Sequence, residues 1–454
     1  MDMNGLSDVL QKRFREKKIL IVGLGLQGGG VGMARFFSNL GAYVKITDGK
    51  NEDELSESIQ KLAACKNISY ALGSHSTADF TGSDYIFIGP SVSWDMPQIQ
   101  EAQKKGIPVE MEASFFSSVC PARIIGVTGT RGKSTVATMI FELLRKAGKR
   151  AFLAGNIAGS STVEILNHVE KDDYVVLELS SWQLSGFHRK QISPHISVFT
   201  NVYPDHLNYY ASMDEYLFDK KAIYLYQKQD DYLIAHEDLK RIIENDNPKS
   251  TVIYFKRSDY TGKLPYLRGG HNRENASSVL KIAEVLRMKK TIAKEALSAF
   301  KGLPGRCEIM KKKDHIFFVN DTTSTTPIAT VKAIDSLEGE IIVLILGGNT
   351  KNLPVGELLA KTAHVEKIIL LKGSFTEQIL ASMELNGKEK VVDTFDSLKS
   401  AVEAAYCVAK ELTRENKSVY ILFSPGATSF AMFKNEFHRG DEFVRLVEIV
   451  TQHD

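Results

Sequence analysis

The chain has 454 residues, 25% of them charged, and a formal net charge of +2 at pH 7. This length exceeds what one ordinary hydrophobic core organises, so we expect two to four domains. The near-neutral balance argues against a nucleic-acid-binding protein, because such proteins normally carry a marked basic excess. Anionic ligands would instead be bound by local clusters of charge.

Neither a targeting segment nor a disulfide framework is indicated. The first residues, MDMNGLSDVLQKRFREKK, lack the apolar segment of a secretory signal, and no stretch reaches the roughly 18 apolar residues of a membrane span. We therefore expect a cytoplasmic protein with no membrane span. We also expect a monomer with no nucleic-acid partner. Four cysteines lie far apart without a CxxC pair, which is typical of free thiols in a reducing compartment: Cys65, Cys120, Cys307 and Cys407.

Apolar runs bounded by glycine alternate with amphipathic stretches from the start of the chain. KKILIVGLG (17–25), AYVKITD (42–48) and DYIFIG (84–89) have the composition of buried parallel strands, and GMARFFSNLG (32–41) has the period of a helix. This βαβ rhythm predicts a doubly wound sheet.

The same rhythm restarts twice further along the chain. RIIGVTGT (123–130) opens a second series. The third series comprises HIFFVND (315–321), EIIVLILGG (340–348), KIILLKG (367–373) and SVYILFSPG (418–426). We therefore predict three α/β domains, over residues 1–121, 122–304 and 305–454.

The first glycine loop follows the first predicted strand. Gly23, Gly25 and Gly28 form GxGxxG between a strand and a helix, and Asp48 ends the next strand. In a dinucleotide fingerprint the glycines admit a pyrophosphate to a helix N-terminus, and the acid accepts a ribose hydroxyl. An NAD(P) enzyme, an enzyme that binds another nucleotide, and a turn that only permits close packing all remain open at this point.

The second glycine loop decides between these alternatives. TGTRGKST (128–135) follows the strand RIIGV and opens a helix, although the first glycine of GxxxxGK[ST] is absent. A phosphate-binding loop needs glycines that free its N–H groups, a lysine for the terminal phosphates and a hydroxyl for Mg²⁺. Lys133 and Ser134 supply the last two. Two nucleotide loops favour an NTP-driven enzyme with a nucleotide-tagged substrate and fit a dehydrogenase poorly.

Sequence motifs along nearly the whole chain resemble those of the Mur ligases. TGTRGKST resembles the TGTxGKT/S loop of these enzymes and of folylpolyglutamate synthetases, and LELSSWQL (177–184) resembles a segment of the Mur ligase that adds D-glutamate. The other matching segments follow in family order: AGNIAG (154–159), NVYPDHLNYY (201–210), GGHNRENASSVL (269–280), GLPGRCE (302–308), NDTTSTTP (320–327), GGNTKNLP (347–354) and SPGATSFAMFKNEFHRGDEF (424–443).

This resemblance implies a fold and an activity. The fold would consist of an N-terminal Rossmann-like domain that binds the UDP-substrate, a central P-loop ATPase-type domain that binds ATP, and a C-terminal Rossmann-like domain that binds the amino acid. The activity would be ATP-dependent amide-bond formation between UDP-N-acetylmuramoyl-L-alanine and D-glutamate, through an acyl phosphate, in peptidoglycan precursor synthesis. ATP and two Mg²⁺ ions would be the cofactors.

The resemblance also implies catalytic and metal-binding residues. Lys133 would act on the transferred phosphoryl group, and the metal ligands would be Ser134, Glu178, His206 and Lys220. Lys220 would be an anionic ligand as a carbamate, the adduct of CO₂ with its ε-nitrogen. The position of Tyr216, four residues earlier, favours Lys220 over Lys221.

Three sets of binding residues follow from the resemblance. ATP would contact Gly129, Thr130, Gly132, Lys133, Ser134, Thr135, Asn272, Asn275, Arg306 and Asp321. The UDP-substrate would contact Gly23, Leu24, Gly25, Gln27, Asp48, Ser91 and Asn156. The two carboxylates of the amino acid would contact Thr325, Lys351 and Ser429, because a dianion needs a fixed cation and hydroxyl donors.

The chain departs from the family pattern at several motif positions. A lysine of the family is Thr323 here, and an aspartate is Ala431. The other departures are Glu436 with Phe437, the sequence GPS at 89–91, and Asn208 with Tyr209. They leave open a Mur-type ligase with another amino acid, or a poly-γ-glutamate or folylpolyglutamate-type synthetase. An NAD(P)-dependent oxidoreductase or sensor and a non-catalytic scaffold are the alternatives outside this class.

Overall fold

The computed structural model describes residues 3–25, 28–157, 161–203, 210–267, 269–413, 417–429 and 433–452. Three β-sheets follow one another along the chain, with helices between most successive strands. This confirms the predicted α/β class with three sheet-based domains. No helix within these ranges is long and apolar enough to cross a membrane.

The first sheet is formed by β1 (Lys18–Val22), β2 (Tyr43–Asp48), β3 (Ile68–Leu72), β4 (Tyr85–Ile88) and β5 (Val109–Met111). All its strands are parallel, in the order β3-β2-β1-β4-β5. The strand order reverses between β1 and β4, and parallel sheets bind ligands at the carboxyl edge of such a point. The helices of this part are α1 (Met3–Phe14), α2 (Gly29–Asn39), α3 (Glu52–Gln60), α4 (Thr77–Thr81), α5 (Pro97–Lys104) and α6 (Glu112–Val119).

The second sheet is formed by β6 (Arg123–Thr128), β7 (Ala151–Gly155), β8 (Tyr174–Glu178), β9 (Ile196–Phe199), β10 (Tyr232–His236) and β11 (Thr251–Phe255). Its strands are parallel, in the order β11-β10-β9-β6-β8-β7. The segments that follow β6, β8 and β9 therefore meet at one edge. The helices are α7 (Lys133–Lys146), α8 (Ser181–Lys190), α9 (Met213–Lys221), α10 (Lys240–Asp246), α11 (Gly270–Val285) and α12 (Lys290–Ala299).

The third sheet is formed by β12 (Glu308–Lys313), β13 (Ile316–Asn320), β14 (Ile341–Gly347), β15 (Lys367–Leu371), β16 (Val391–Phe395) and β17 (Val419–Phe423). Its order is β12-β13-β17-β14-β15-β16, and only the β12–β13 pair is antiparallel. The helices are α13 (Pro327–Asp335), α14 (Gly356–Lys361), α15 (Ser374–Ser382), α16 (Leu385–Lys388), α17 (Leu398–Leu412) and α18 (Glu436–Gln452). Four short 3₁₀ helices complete the described structure: Val163–Asn167, Glu237–Leu239, Arg257–Asp259 and Thr362–His364.

The central strands form because their apolar side chains are covered on both faces. Every residue of β17 (VYILF) is buried, and so are the last six residues of β14. Near-continuous runs of Val, Ile and Leu are what parallel sheets between helix layers require. Some helices begin at a side chain that caps the free N–H groups of the first turn. α8, for example, starts with a capping box between Ser180 and Gln183.

The chain divides into two compact units. One comprises Met1–Gly262 with Arg273–Leu297 and contains the first two sheets; the other comprises Lys263–Asn272 with Ser298–Asp454 and contains the third. The domain boundaries predicted at 121/122 and 304/305 remain predictions.

Candidate active site

The loop between β6 and α7 carries the second glycine motif. Gly129 has a φ of 151° and Gly132 a φ of 82°, values that glycine adopts without strain. A Cβ on Gly129 would lie 1.9 Å from Oγ1 of Thr200, and a Cβ on Gly132 would lie 2.6 Å from Oδ1 of Asn275. Neither position accepts a side chain, so the loop backbone packs closely against its neighbours.

The segment after β9 supports this loop. The carbonyl of Asn201 accepts from the N–H of Thr130 at 3.0 Å, and Oδ1 of Asn201 accepts from the N–H of Arg131 at 2.9 Å. Oγ1 of Thr200 donates to the carbonyl of Arg131 at 2.7 Å. Thr200 and Asn201 carry no sequence signal for this supporting role, although the motif NVYPDH begins at Asn201.

Two lysine ammonium groups meet at one carbonyl oxygen of the loop. Nζ of Lys133 donates to the carbonyls of Gly129 and Thr130, both at 3.1 Å. Nζ of Lys220 donates to the same Gly129 carbonyl at 2.9 Å. With Lys220 unmodified, the two like charges would create a positive potential that an anion such as a phosphate would neutralise, and carbamylation of Lys220 would replace one of these charges by an anion.

The helix α9 turns Lys220, and not its neighbour, towards the loop. Lys220 is 1% exposed, and its Nζ lies 4.8 Å from the ring centroid of Tyr216. The hydroxyl of Tyr216 lies 3.1 Å from Oγ1 of Thr130. Lys221 instead forms an ion pair with Asp246 at 2.8 Å. The predicted role of Lys220 as a metal ligand stays a prediction.

Glu178 ends β8 beside the same loop and is 2% exposed. Its Oε1 accepts from Nδ2 of Asn156 at 3.1 Å, and its carbonyl accepts from the N–H of Asn156 at 2.8 Å. Its Oε2 is buried and has no hydrogen-bond donor among the described residues. A buried carboxylate oxygen without a donor is destabilising unless a cation compensates it.

The residues present fit a divalent cation. No three His, Cys, Asp or Glu side chains cluster in the described parts of the chain. Oε2 of Glu178 nevertheless offers one buried anionic oxygen, and the Ser134 hydroxyl lies in the first turn of α7. Oxygen ligands of this kind are what Mg²⁺ prefers in proteins. The predicted ligand His206 lies outside the described residues.

Three further nucleotide-binding predictions fall on α7 and α11. Thr135 is the third residue of α7. Asn275 is 7% exposed on α11 and adjoins Gly132, and Asn272 lies three residues earlier on the same helix. The structure therefore brings Asn275 to the loop, as an adenine-nucleotide contact would require.

The first glycine loop is held in shape by Asp48. Oδ2 of Asp48 accepts from the N–H groups of Leu24 at 2.9 Å and Gly25 at 3.3 Å, and Oδ1 accepts from the N–H of Lys50 at 3.0 Å. The carboxylate is thus a ligand of the loop itself, a function that the sequence does not reveal. The predicted contact of Asp48 with a ribose stays a prediction, and Gln27 lies outside the described residues.

The loop after β4 lies beside the first glycine loop. The N–H of Gly89 donates to the carbonyl of Val22 at 2.9 Å, and a Cβ on Gly23 would lie 3.7 Å from the Val92 side chain. Ser91 lies between these contacts and is exposed. Ser91 and the glycine loop therefore share the carboxyl edge of the first sheet.

The predicted amino-acid site lies at the carboxyl edge of the third sheet. Nζ of Lys351, after β14, donates to Oγ1 of Thr325, after β13, at 3.1 Å. The loops after β14 and β17 are joined by a bridge between Asn349 and Thr428, next to the buried Ser429. The structure brings two of the three predicted residues into contact and places the third in an adjoining loop.

Asp321 is fully engaged inside the same unit. It is 4% exposed and accepts from Oγ of Ser424 at 2.7 Å, Oγ of Ser324 at 2.5 Å and the N–H of Cys307 at 3.0 Å. Burial raises the pKa of this carboxyl, while the hydrogen bonds from the serines lower it. The predicted contact with the ATP ribose remains a prediction, as does the phosphate contact of the exposed Arg306.

A buried arginine, which the sequence analysis does not single out, joins two loops of this site. Arg439 is 2% exposed, and its guanidinium donates to the carbonyls of Thr322 at 2.6 Å and Ala427 at 3.1 Å. Burial lowers the pKa of Arg439 to about 10. The only sequence signal is its place in the motif HRGDEF.

Comparison with known proteins explains why these motifs occur together. The family models described as "Mur ligase middle domain" and "Mur ligase MurD-like, N-terminal domain" match residues 127–294 and 17–110. A UDP-N-acetylmuramoylalanine–D-glutamate ligase of Borreliella afzelii is 34% identical over 95% of this chain and 97% of its own length. The chain belongs to the Mur ligase family. A protein of the same name from Roseiflexus is 31% identical to this Mur ligase over 96% and 99% of the two chains.

Solved Mur ligases share the fold. The MurC ligase of Thermotoga maritima is 19% identical and has a TM-score of 0.57, covering 95% of this chain and 99% of its own. The MurF ligase of the same organism, solved with ADP, is 16% identical with a TM-score of 0.54, covering 98% and 97%. At these identities the likeness concerns the fold alone. The oxidoreductase and scaffold alternatives lose their basis, because the full-length relatives named above are ligases.

Proposed function

We propose that this Mur ligase joins UDP-N-acetylmuramoyl-L-alanine to D-glutamate at the expense of ATP. The observation that carries the proposal is the full-length similarity to UDP-N-acetylmuramoylalanine–D-glutamate ligases. The positions of Lys133, Lys220 and Glu178 around one loop support it. The product would be a peptidoglycan precursor. The proposed site of action is the cytoplasm, where ATP is available, and the proposed state is a monomer.

The reaction forms an amide from a carboxylate and an amine. A carboxylate oxygen of the UDP-substrate attacks the γ-phosphorus of ATP, and the bond to the ADP oxygen breaks. The amine of D-glutamate then attacks the acyl phosphate carbon, and the tetrahedral intermediate expels phosphate while the nitrogen loses a proton. Every step moves negative charge, so catalysis depends on positioned cations and on the exclusion of water.

The P-loop residues carry the phosphoryl transfer. Lys133 would pair with the terminal phosphates, while backbone N–H groups from Gly129 to Thr135 would bind their oxygens. Asn272, Asn275, Arg306 and Asp321 are proposed to bind the rest of ATP by their likeness to the family motifs.

Mg²⁺ is proposed as the metal, with Ser134, Glu178, His206 and carbamylated Lys220 as ligands. Two ions would neutralise charge that develops on the phosphates. The buried, unpartnered Oε2 of Glu178 supports a cation there. The carbamate at Lys220 is proposed because an ammonium group would repel a metal ion, whereas a carbamate would supply an anionic oxygen ligand.

The amino acid is proposed to bind at the third sheet, where Thr325, Lys351 and Ser429 would hold its carboxylates. The Lys351–Thr325 contact supports a shared carboxylate site. The UDP moiety is proposed to bind at the first sheet, near Gly23, Leu24, Gly25, Gln27, Asp48 and Ser91, with Asn156 contacting the sugar-peptide part.

Phosphate release tests the proposal directly. Purified protein with ATP, Mg²⁺ and UDP-N-acetylmuramoyl-L-alanine is expected to release phosphate with D-glutamate and not with other amino acids of a panel. Preference for another amino acid would identify the Mur-type alternative. Activity on folate or poly-γ-glutamate acceptors instead would identify the synthetase alternative.

Replacing Asp48 by alanine is expected to raise the KM for the UDP-substrate about tenfold, because the N–H groups of Leu24 and Gly25 lose their acceptor and the loop loses its shape. The KM for ATP should not change. Steady-state kinetics with each substrate varied in turn measures both. Asp53→Ala, an exposed acid on α3, is the matched control. A raised ATP KM with an unchanged UDP-substrate KM would reverse the assignment of the two glycine loops.

A further inference from the structure

The loop that carries Lys351 is anchored at its start. The carbonyl of Gly348 accepts from the N–H of Phe375 at 2.9 Å, and the carbonyl of Asn349 accepts from the N–H of Thr428 at 3.1 Å. Residues 350–354 then leave the sheet edge, and Lys351 is exposed. When an exposed lysine on such a loop binds a ligand, its side chain loses rotamer freedom, and the backbone loses freedom as well unless other contacts already fix it.

Gln378, on α15, fixes the backbone on both sides of Lys351. Its Oε1 accepts from Oγ1 of Thr350 at 2.6 Å, and its Nε2 donates to the carbonyl of Leu353 at 3.1 Å. Oγ1 of Thr350 also accepts from the N–H of Asn352 at 2.8 Å. One side chain therefore closes the loop around the lysine, using both ends of its amide.

We infer that Gln378 is a positioning residue that presents Lys351 to a carboxylate of the incoming amino acid. The inference rests on the proposed function, in which Lys351 binds that substrate. Gln378 would act only through the loop, since its amide is already bonded to Thr350 and Leu353. Fixing a binding cation in advance reduces the ordering cost that substrate binding would otherwise meet.

The charge of this edge makes the position of Lys351 important. Lys351 is the one cation among the residues described in the loops 321–326, 348–354 and 424–429. Thr323 stands where the family has a lysine, and its Oγ1 donates to the carbonyl of Gly305 at 2.9 Å. These loops hold no second cation, and the buried Arg439 is engaged with the carbonyls of Thr322 and Ala427, so recognition of a dianionic amino acid would depend on one well-placed ammonium group.

The test replaces Gln378 by methionine, which keeps the length of the side chain and removes both hydrogen bonds. We expect Gln378→Met to raise the KM for D-glutamate about tenfold, as the loss of two net hydrogen bonds implies. The KM values for ATP and the UDP-substrate, and kcat at saturation, should stay within about twofold of the wild type. Glu377→Met, at the exposed neighbouring position of α15, should change none of them.

A double-mutant cycle separates positioning from a general structural role. In a Lys351→Ala background Gln378→Met should add less than about twofold to the KM, because there is no cation left to position. An unchanged D-glutamate KM in the single variant, or a full effect in both backgrounds, would overturn the inference. If the wild-type enzyme selects another amino acid, the proposed function fails separately, and the KM for that amino acid then tests Gln378. If Gln378→Met lowers the melting temperature, Gln378→Glu serves in its place. It keeps the acceptor for Thr350 and loses only the bond to Leu353, so the expected increase in the KM for D-glutamate is smaller, about threefold.

Discussion

Alanine at position 133 is expected to lower turnover about a thousandfold or more. Nζ of Lys133 is held at the carbonyls of Gly129 and Thr130, at the start of α7, where a phosphate would bind. Its loss removes a fixed cation from a phosphoryl group on which negative charge develops, and losses of this size are typical of preorganised groups. Phosphate release under saturating substrates, with ADP detected separately, measures the effect.

The control for this variant is Lys149→Ala, an exposed lysine that follows the same helix. It should leave turnover unchanged. Lys133→Ala should also keep a melting temperature close to that of the wild type, since the side chain is partly exposed and its bonds to the carbonyls of Gly129 and Thr130 each contribute little net stability. Turnover near the wild-type rate would exclude this loop as the phosphate site.

The apolar pattern of the sequence predicts central strands of all three sheets, but it does not predict an edge strand such as β3. β1, β6, β14 and β17 consist largely of apolar residues, because helices cover both of their faces. The edge strand β3 reads ISYAL and is largely exposed or half-buried. An edge strand has one neighbour and less cover, so its composition resembles that of a loop.

In the candidate site, too, the sequence predicts some features and not others, for a different reason. Motifs name the residues proposed to act on phosphate and metal, such as Lys133 and Glu178, because each lies at or just after the carboxyl end of a strand. The bonds of Asp48 to its loop and of Arg439 to two carbonyls join residues far apart in the chain. Such contacts depend on the order of strands in a sheet and on side-chain direction, which spacing does not encode.

The adjacent residues Lys220 and Lys221 are expected to have different roles, Lys220 in catalysis and Lys221 in an ion pair with Asp246. Lys220→Ala is expected to lose most of the activity, because the proposed carbamate oxygen anion is a metal ligand that neither an ammonium group nor a methyl group replaces. Acetate or another small carboxylate should restore part of the activity by filling the gap left by the side chain. Phosphate release with increasing acetate measures the restoration.

The structure supplies a matched control in the next residue. Lys221→Ala breaks a half-buried ion pair with Asp246, so it should lower the free energy of unfolding by about 1 kcal/mol and leave turnover nearly unchanged. Lys220→Met, which keeps the buried stem, should be as inactive as Lys220→Ala and should not respond to a carboxylate, because methionine fills the space. If Lys221→Ala were the inactive variant, the register that rests on Tyr216 and its contact with Thr130 would be wrong by one residue. If neither variant lost activity, no carbamate would take part in the reaction, and Glu178 would hold the metal with ligands other than Lys220.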